Sequence, residues 1–251
     1  MSLPEPRADW ALFLDFDGTL VDIADRPDAI VVDPGLPALL SRVTGQLSGA
    51  LAVVSGRPIA EIDSFLQGAV RPVAGMHGVE RREPEGDIRV GAVPVDLIAD
   101  ARAQLTAFAA DHDGVLLEDK RFGLVLHYRL APDKQLECEA LTRAIAAGSD
   151  GRLKVQPGKM VSELKASDHH KGEAVRAFMA VAPFRGRTPV FAGDDITDED
   201  AFAVVNEMGG VSIRVGPAPV TAARYVVDSV ESFRGWLREF ADGNEVEAKA
   251  P

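Results

Sequence analysis

Ala11-Leu12-Phe13-Leu14-Asp15-Phe16-Asp17 is the segment that most constrains the fold. It is a short apolar run that stops abruptly at carboxylates. Consecutive apolar residues, rather than alternating ones, read as a strand covered on both faces, as in a parallel sheet. Similar runs follow at Ala50–Val54, Val70–Ala74, Pro189–Ala192, Val211–Val215 and Tyr225–Val227. Stretches with helical spacing lie between them, at Pro34–Leu47, Ile59–Leu66, Lys171–Ala182, Thr197–Met208 and Val230–Phe240. In the first of these, Leu36, Leu39, Leu40, Val43 and Leu47 form one stripe. Alternation of this kind predicts an α/β fold with a Rossmann-like parallel sheet core.

The middle of the chain has a different texture. Glu80–Arg89 is charged, with a turn signal at Pro84-Glu85-Gly86. A helix is expected at Val95–Ala110, two strands around Lys120-Arg121, a helix at Asp133–Ala147 and a hairpin around Pro157-Gly158. This order of helix, hairpin, helix, hairpin reads as an inserted α+β cap over 80–166. The core is then discontinuous, 9–79 plus 167–242, and 243–251 is expected to be a flexible tail.

Composition narrows the function classes. Lys plus Arg is 27 and Asp plus Glu 39, for a net charge of −12. That balance disfavours nucleic acid, whose phosphates call for a basic stripe. One cysteine, Cys138, excludes an internal disulfide and a CxxC zinc site. No apolar run approaches the roughly 18–20 residues that cross a bilayer. The first seven residues lack the apolar core of a signal peptide. A cytoplasmic protein is expected, with no nucleic-acid or membrane partner, and a monomer.

The acids at the strand ends carry the chemistry. In open parallel sheets, ligands bind beyond the carboxyl ends of the strands. Asp15 and Asp17 lie at such an end, and Gly18 lets the backbone turn away. Asp194 and Asp195 sit at another, within Gly193-Asp194-Asp195-Ile196-Thr197-Asp198-Glu199-Asp200. Close carboxylates repel unless a cation or a proton lies between them. Hard oxygen donors favour Mg²⁺, which also binds substrate phosphate. Thr197-Asp198-Glu199-Asp200 fits a capping box, with Asp200 in the place of the usual Glu. Capping does not account for Asp194 and Asp195. Ser55-Gly56-Arg57 follows a strand and precedes a helix: a phosphate seat, or an ordinary turn with a Ser cap. Lys171, at a helix N-terminus, is unfavourably placed for the dipole unless it faces anions; taken alone, it reads as a surface lysine. His77 follows the third core strand and is expected near the cleft, whereas His169 and His170 are read as a solvated hinge.

Asp-x-Asp-Gly-Thr at 15–19, Ser55, Lys171 and Gly-Asp-Asp-x-x-Asp at 193–198 resemble, in this order, the haloacid dehalogenase superfamily. The position of the insertion resembles members with an α/β cap of the second type. Finer motifs are similar to those of the trehalose-6-phosphate phosphatases: Val54-Ser55-Gly56-Arg57, Gly75-Met76-His77-Gly78-Val79-Glu80, Glu118-Asp119-Lys120, His127-Tyr128-Arg129 and Gly158-Lys159-Met160-Val161-Ser162-Glu163. Leu164-Lys165-Ala166 and His169-His170 depart from the family pattern. The resemblance implies a phosphomonoesterase of trehalose biosynthesis that acts on a small-molecule sugar phosphate. Asp15 would be the nucleophile, and Asp17 the acid and then the base. Mg²⁺ would be held by the Asp15 carboxylate, the Asp17 carbonyl and Asp194, with Asp198 in support. Ser55, the Gly56 amide and Lys171 would hold phosphate oxygens. Arg57, His77, Glu118, Lys120, Arg129, Lys159 and Glu163 would contact substrate. Sucrose phosphate, mannosylglycerate phosphate and hexose phosphate are alternative substrates, and a catalytically silent sugar-phosphate sensor is an alternative of another class.

Overall fold

The computed structural model describes residues 3–24, 30–91, 93–120, 123–158, 160–166 and 169–242. The chain forms two compact units, 1–91 with 170–251, and 92–169. In the first unit, β1 (Trp10–Leu14) is wholly buried. It pairs in parallel with β10 (Thr188–Gly193) on one side and β2 (Leu51–Val54) on the other. β11 (Val211–Val215), β12 (Tyr225–Val227) and β3 (Val73–Gly75) extend the parallel sheet outward.

Both faces of this sheet are covered, as its unbroken apolar strands require. Side chains alternate along a strand, so Trp10 and Phe13 point to opposite faces. Trp10 meets Trp236 of α7 (Val230–Asp242), with ring centroids 6.2 Å apart. Phe13 stacks on Phe178 of α5 (Lys171–Met179) and on Phe184, at 6.1 and 5.3 Å. α1 (Leu36–Gln46) packs against α7, and α6 (Glu199–Glu207) against α5. α2 (Ile59–Leu66) is the other α-helix among the described residues of this unit.

Two further strands belong to the same sheet. β4 (Glu80–Arg82) pairs antiparallel with β3, and β5 (Ile88–Val90) with β4. The boundary expected at 79/80 therefore falls at 91/92. The charged texture of 80–89 is that of an edge hairpin, where charge discourages further pairing. Arg82 donates to both oxygens of Asp63 at 2.6 and 2.7 Å. The buried Glu80 carboxylate accepts from the Ile59 amide at the start of α2, an end that has no side-chain cap of its own.

The second unit is an antiparallel sheet ordered β6 (Leu116–Asp119), β7 (Gly123–His127), β9 (Val161–Ala166), β8 (Leu153–Gly158). It is joined by α3 (Val95–Ala110) and α4 (Gln135–Ala147). The helix expected from Asp133 begins with a 3₁₀ turn at Pro132–Lys134. Leu124, Leu126 and Leu164 form a core with Ile98, Ala101, Leu105 and Cys138 of the two helices. The cross-strand register places Glu118, Val125, Glu163 and Gln156 together on the opposite face.

Candidate active site

The first unit gathers the carboxyl ends of β1, β2 and β10 with the first turn of α5. Asp15 follows β1 and is 3% exposed, and Ser55 follows β2 at 1%. Lys171 opens α5, also at 3%. Its Nζ donates to Asp15 Oδ1 and to Asp198 Oδ1, each at 2.7 Å. Asp198 is fully buried, and its Oδ2 accepts from the amides of Asp194 and Asp195 at 3.0 and 3.1 Å. Thr19 Oγ1 lies 3.3 Å from Asp15 Oδ2. Asp15, Asp194 and Asp198 each offer a carboxylate oxygen within 4.8 Å of the others.

Glycines make this close approach possible. Gly18 has φ +80°, and a Cβ built there would lie 2.1 Å from Asp194 Oδ2. At Gly193, a Cβ would lie 2.2 Å from Asp198 Cγ. Gly18→Ala is therefore expected to keep the fold by circular dichroism while displacing Asp194. Turnover should fall on the order of 10²-fold or more, the cost of an ångström-scale error at a reacting centre. Activity within twofold of the parent would contradict this account of the site.

The electrostatics are short of positive charge. Burial pushes the Asp15 carboxyl up to about 7, with Lys171 pulling against it and Asp194 adding to it. Burial likewise raises Asp194 to about 7 and Asp198 to about 8. Burial works against the Lys171 charge, but Asp15, Asp198 and Asp195 outweigh it and raise its pKa. Two buried carboxyls thus share one ammonium, with the half-buried Asp194 beside them. An all-oxygen, acid-rich site of this kind suits a hard divalent cation such as Mg²⁺.

Several side chains sit differently from expectation. The Asp17 carboxylate does not join the acidic group. It faces Arg57, whose Nε and Nη2 donate to it at 2.7 and 2.8 Å. The capping box is built by Asp195 and Asp198, two residues before the expected one. The tight turn after β10 brings Asp198 back onto the two preceding amides, and Thr197 donates to Asp195 from both N and Oγ1. His170 is half-buried rather than a solvated hinge, 3.8 Å from Glu173 and 4.0 Å from Asp200. Gly56 lies under His77, where a Cβ would be 2.8 Å from Cε1. His77 has φ +56° and its amide donates to the Ser55 carbonyl. The Gly75–Glu80 motif thus holds the loops after β2 and β3 together.

The remaining residues lie in the second unit. Glu118 Oε2 is 2.8 Å from His127 Nε2, and Lys120 Nζ is 4.0 Å from Glu163 Oε1. Arg129 is exposed in the turn after β7. Lys159 lies outside the described residues. Thr19 stands inside the first motif without an expected role, whereas Asp195, expected beside Asp194 as a strand-end acid, caps the following turn.

The trehalose-phosphatase family profile matches residues 13–231, a span that includes every one of these side chains. The chain belongs to the trehalose-phosphatase family. A probable trehalose-phosphate phosphatase of Sinorhizobium fredii is 45% identical over 233 residues, covering 92% of this chain and 88% of that protein. The trehalose-6-phosphate phosphatase of Escherichia coli is 40% identical over 234 residues, covering 93% and 87%. A crystal structure of a trehalose-6-phosphate phosphatase related protein superposes with a TM-score of 0.75 at 26% identity, covering 95% and 99%. The match to the trehalose-phosphatase family crosses both compact units. No helix among the described residues is long and apolar enough to cross a membrane.

Proposed function

We propose that this chain is a Mg²⁺-dependent phosphomonoesterase that hydrolyses trehalose 6-phosphate through an aspartyl phosphate on Asp15. The observation that carries the reading is the Lys171 ammonium set 2.7 Å from both Asp15 and Asp198 beside Asp194. Family membership supplies the substrate. Mg²⁺ on Asp15 and Asp194, with the Asp17 carbonyl, would neutralise those acids and the oxygens of the bound phosphate.

The chain's own residues divide the remaining work. Lys171 and Thr19 each engage one oxygen of Asp15, which orients the carboxylate for attack on phosphorus. The new bond joins an Asp15 oxygen to phosphorus, and the bond from phosphorus to the sugar oxygen breaks. Asp17 gives its proton to that departing oxygen. It then takes a proton from a water that attacks the phosphoryl group, and the Asp15 carboxylate is released. Ser55 Oγ accepts from the Arg57 amide at 3.1 Å, which leaves its own hydrogen to donate to a phosphate oxygen. Lys171 uses two of its three hydrogens on Asp15 and Asp198, so the third serves the phosphate. Asp198, held by three bonds, keeps Lys171 and the loop after β10 in place. The polar sheet face of the second unit, with Glu118, Lys120 and Glu163, and the exposed Arg129 offer side chains suited to sugar hydroxyls.

Phosphate release over a panel of sugar phosphates, with and without Mg²⁺, tests this reading. Trehalose 6-phosphate should be hydrolysed with a higher kcat/KM than glucose 6-phosphate or sucrose phosphate, and excess EDTA should stop turnover. A preference for sucrose phosphate would remove the trehalose assignment. Full activity in EDTA would remove the metal site. No release from any phosphoester would favour the sensor.

A further inference from the structure

One guanidinium takes both oxygens of Asp17. Arg57 Nε donates to Oδ2 at 2.7 Å and Nη2 to Oδ1 at 2.8 Å. Nη1 donates to Glu61 Oε2 at 3.0 Å. Arg57 Cζ lies 5.3 Å from the centre of the Phe65 ring, and Phe65 stacks on Phe16 at 5.6 Å. The main chain of Arg57 is also tied, its amide to Ser55 Oγ and its carbonyl to the Met76 amide at 3.1 Å. The Arg57 side chain is 12% exposed, against 34% for Asp17. The cation is thus anchored on three sides. The Asp17 main chain is held by a short bridge to Val21, and its carboxylate by the Arg57 fork.

We propose that Arg57 is the positioning residue for the Asp17 carboxyl, aimed through a Glu61–Arg57–Asp17 chain, and not a contact of the substrate. The proposal rests on the reading of Asp17 as acid and base given above. Three of the five guanidinium N–H groups already donate to protein carboxylates, two of them as a fork on Asp17. A planar fork fixes both the distance and the plane of a carboxylate, which a point charge cannot do. A proton-transferring carboxyl must lie within hydrogen-bond reach of the leaving oxygen. For transfer, one of the two Arg57 bonds opens, the freed oxygen carries the proton taken from the hydrolytic water of the preceding turnover and gives it to the leaving oxygen, while the other bond keeps the group aimed. Glu61 and Phe65 hold the guanidinium in place during the exchange.

A double-mutant cycle with two substrates tests this, provided circular dichroism shows each variant folded. With Arg57→Gln, kcat for trehalose 6-phosphate should fall roughly 10–100-fold with KM nearly unchanged, since an alkoxide leaving group needs its proton. The burst of nitrophenol from p-nitrophenyl phosphate should be unaffected, because that leaving group is a stable anion. In an Asp17→Asn background, Arg57→Gln should change nothing further. Glu61→Gln, at an exposed position that tolerates change, should give a smaller loss of the same kind, and Arg57→Lys should not restore the rate. An activity-independent readout is the Arg57 Nε–H resonance, expected to shift in Asp17→Asn and in Glu61→Gln. Equal losses on both substrates with a raised KM, additive to Asp17→Asn, would make Arg57 a phosphate contact and overturn the proposal. So would an Nε–H resonance that ignores Asp17→Asn. If the parent protein turns over no phosphoester, the proposal falls with the phosphatase reading, and the resonance records whether the pair itself also failed.

Discussion

Asp15→Asn should abolish turnover of every phosphoester, whatever the leaving group. The amide keeps the size of the side chain and can still accept from Lys171 Nζ, which bonds Asp15 Oδ1 at 2.7 Å in the parent. Folding should therefore survive, and the loss will belong to the chemistry. Removing a nucleophile outright costs on the order of 10⁶ in kcat where no other group replaces it. Mass spectrometry of the parent enzyme, quenched in acid during turnover, should find one phosphoryl group on the peptide carrying Asp15. The variant should show none. A phosphoryl group on Asp17 or Ser55, or residual turnover above about 1% of the parent, would reassign the nucleophile.

Lys171→Met should be the most destabilising single change in the site, and the loss should depend on pH. The ammonium is buried against Asp15 and Asp198, so its removal leaves uncompensated buried acids. Breaking a buried pair in this way costs roughly 3–5 kcal/mol. At about 2–4 °C per kcal/mol for a chain of this size, Tm should fall by roughly 6–20 °C. Asp15, Asp194 and Asp198 have folded-state values raised to about 7, 7 and 8. An acid whose pKa is raised on folding favours the folded state below its unfolded value near 4, and loses that contribution as pH rises through the folded value. Without Mg²⁺, the gap in Tm between parent and variant should thus be widest above pH 8 and narrow towards pH 5. Mg²⁺ should raise the Tm of the parent by linkage. Calorimetry from pH 5 to 9 checks both signs. A gap that widens towards pH 5 would count against the shared-charge account, and so would a gap independent of pH.

Much of this site was legible in the chain because its parts are local. The apolar runs ending at Asp15 and before Asp194 marked two buried strands, and the carboxyl ends of parallel strands are where ligands gather. Lys171 stood out because an ammonium at a helix N-terminus needs anions near it, and Asp15 and Asp198 are those anions. Two misreadings and one omission share one cause. Glu80–Arg89 read as part of the insertion because edge strands and inserted loops are polar alike, and only the pairing of β4 with β3 separates them. Thr197–Asp200 fits a capping box by spacing, yet the turn after β10 turns the Asp198 side chain back to the amides of Asp194 and Asp195. Asp17 and Arg57 are each singled out, but their separation of 40 positions hides their bond.

What the sequence by itself determined is the set of elements and the chemical kind of the site. Periodicity, strand-end acids and glycine placement are properties of neighbouring residues, and the forces behind them act over a few residues. What only the tertiary structure decided is which charge meets which. β1 lies between β2 and β10, so residues near 15, 55 and 193 converge on one end of the sheet. There Lys171 selects Asp15 and Asp198, and Arg57 selects Asp17. Ion pairing is decided by distance and burial rather than by separation along the chain, so the division of these acids between two cations has no signature in the sequence.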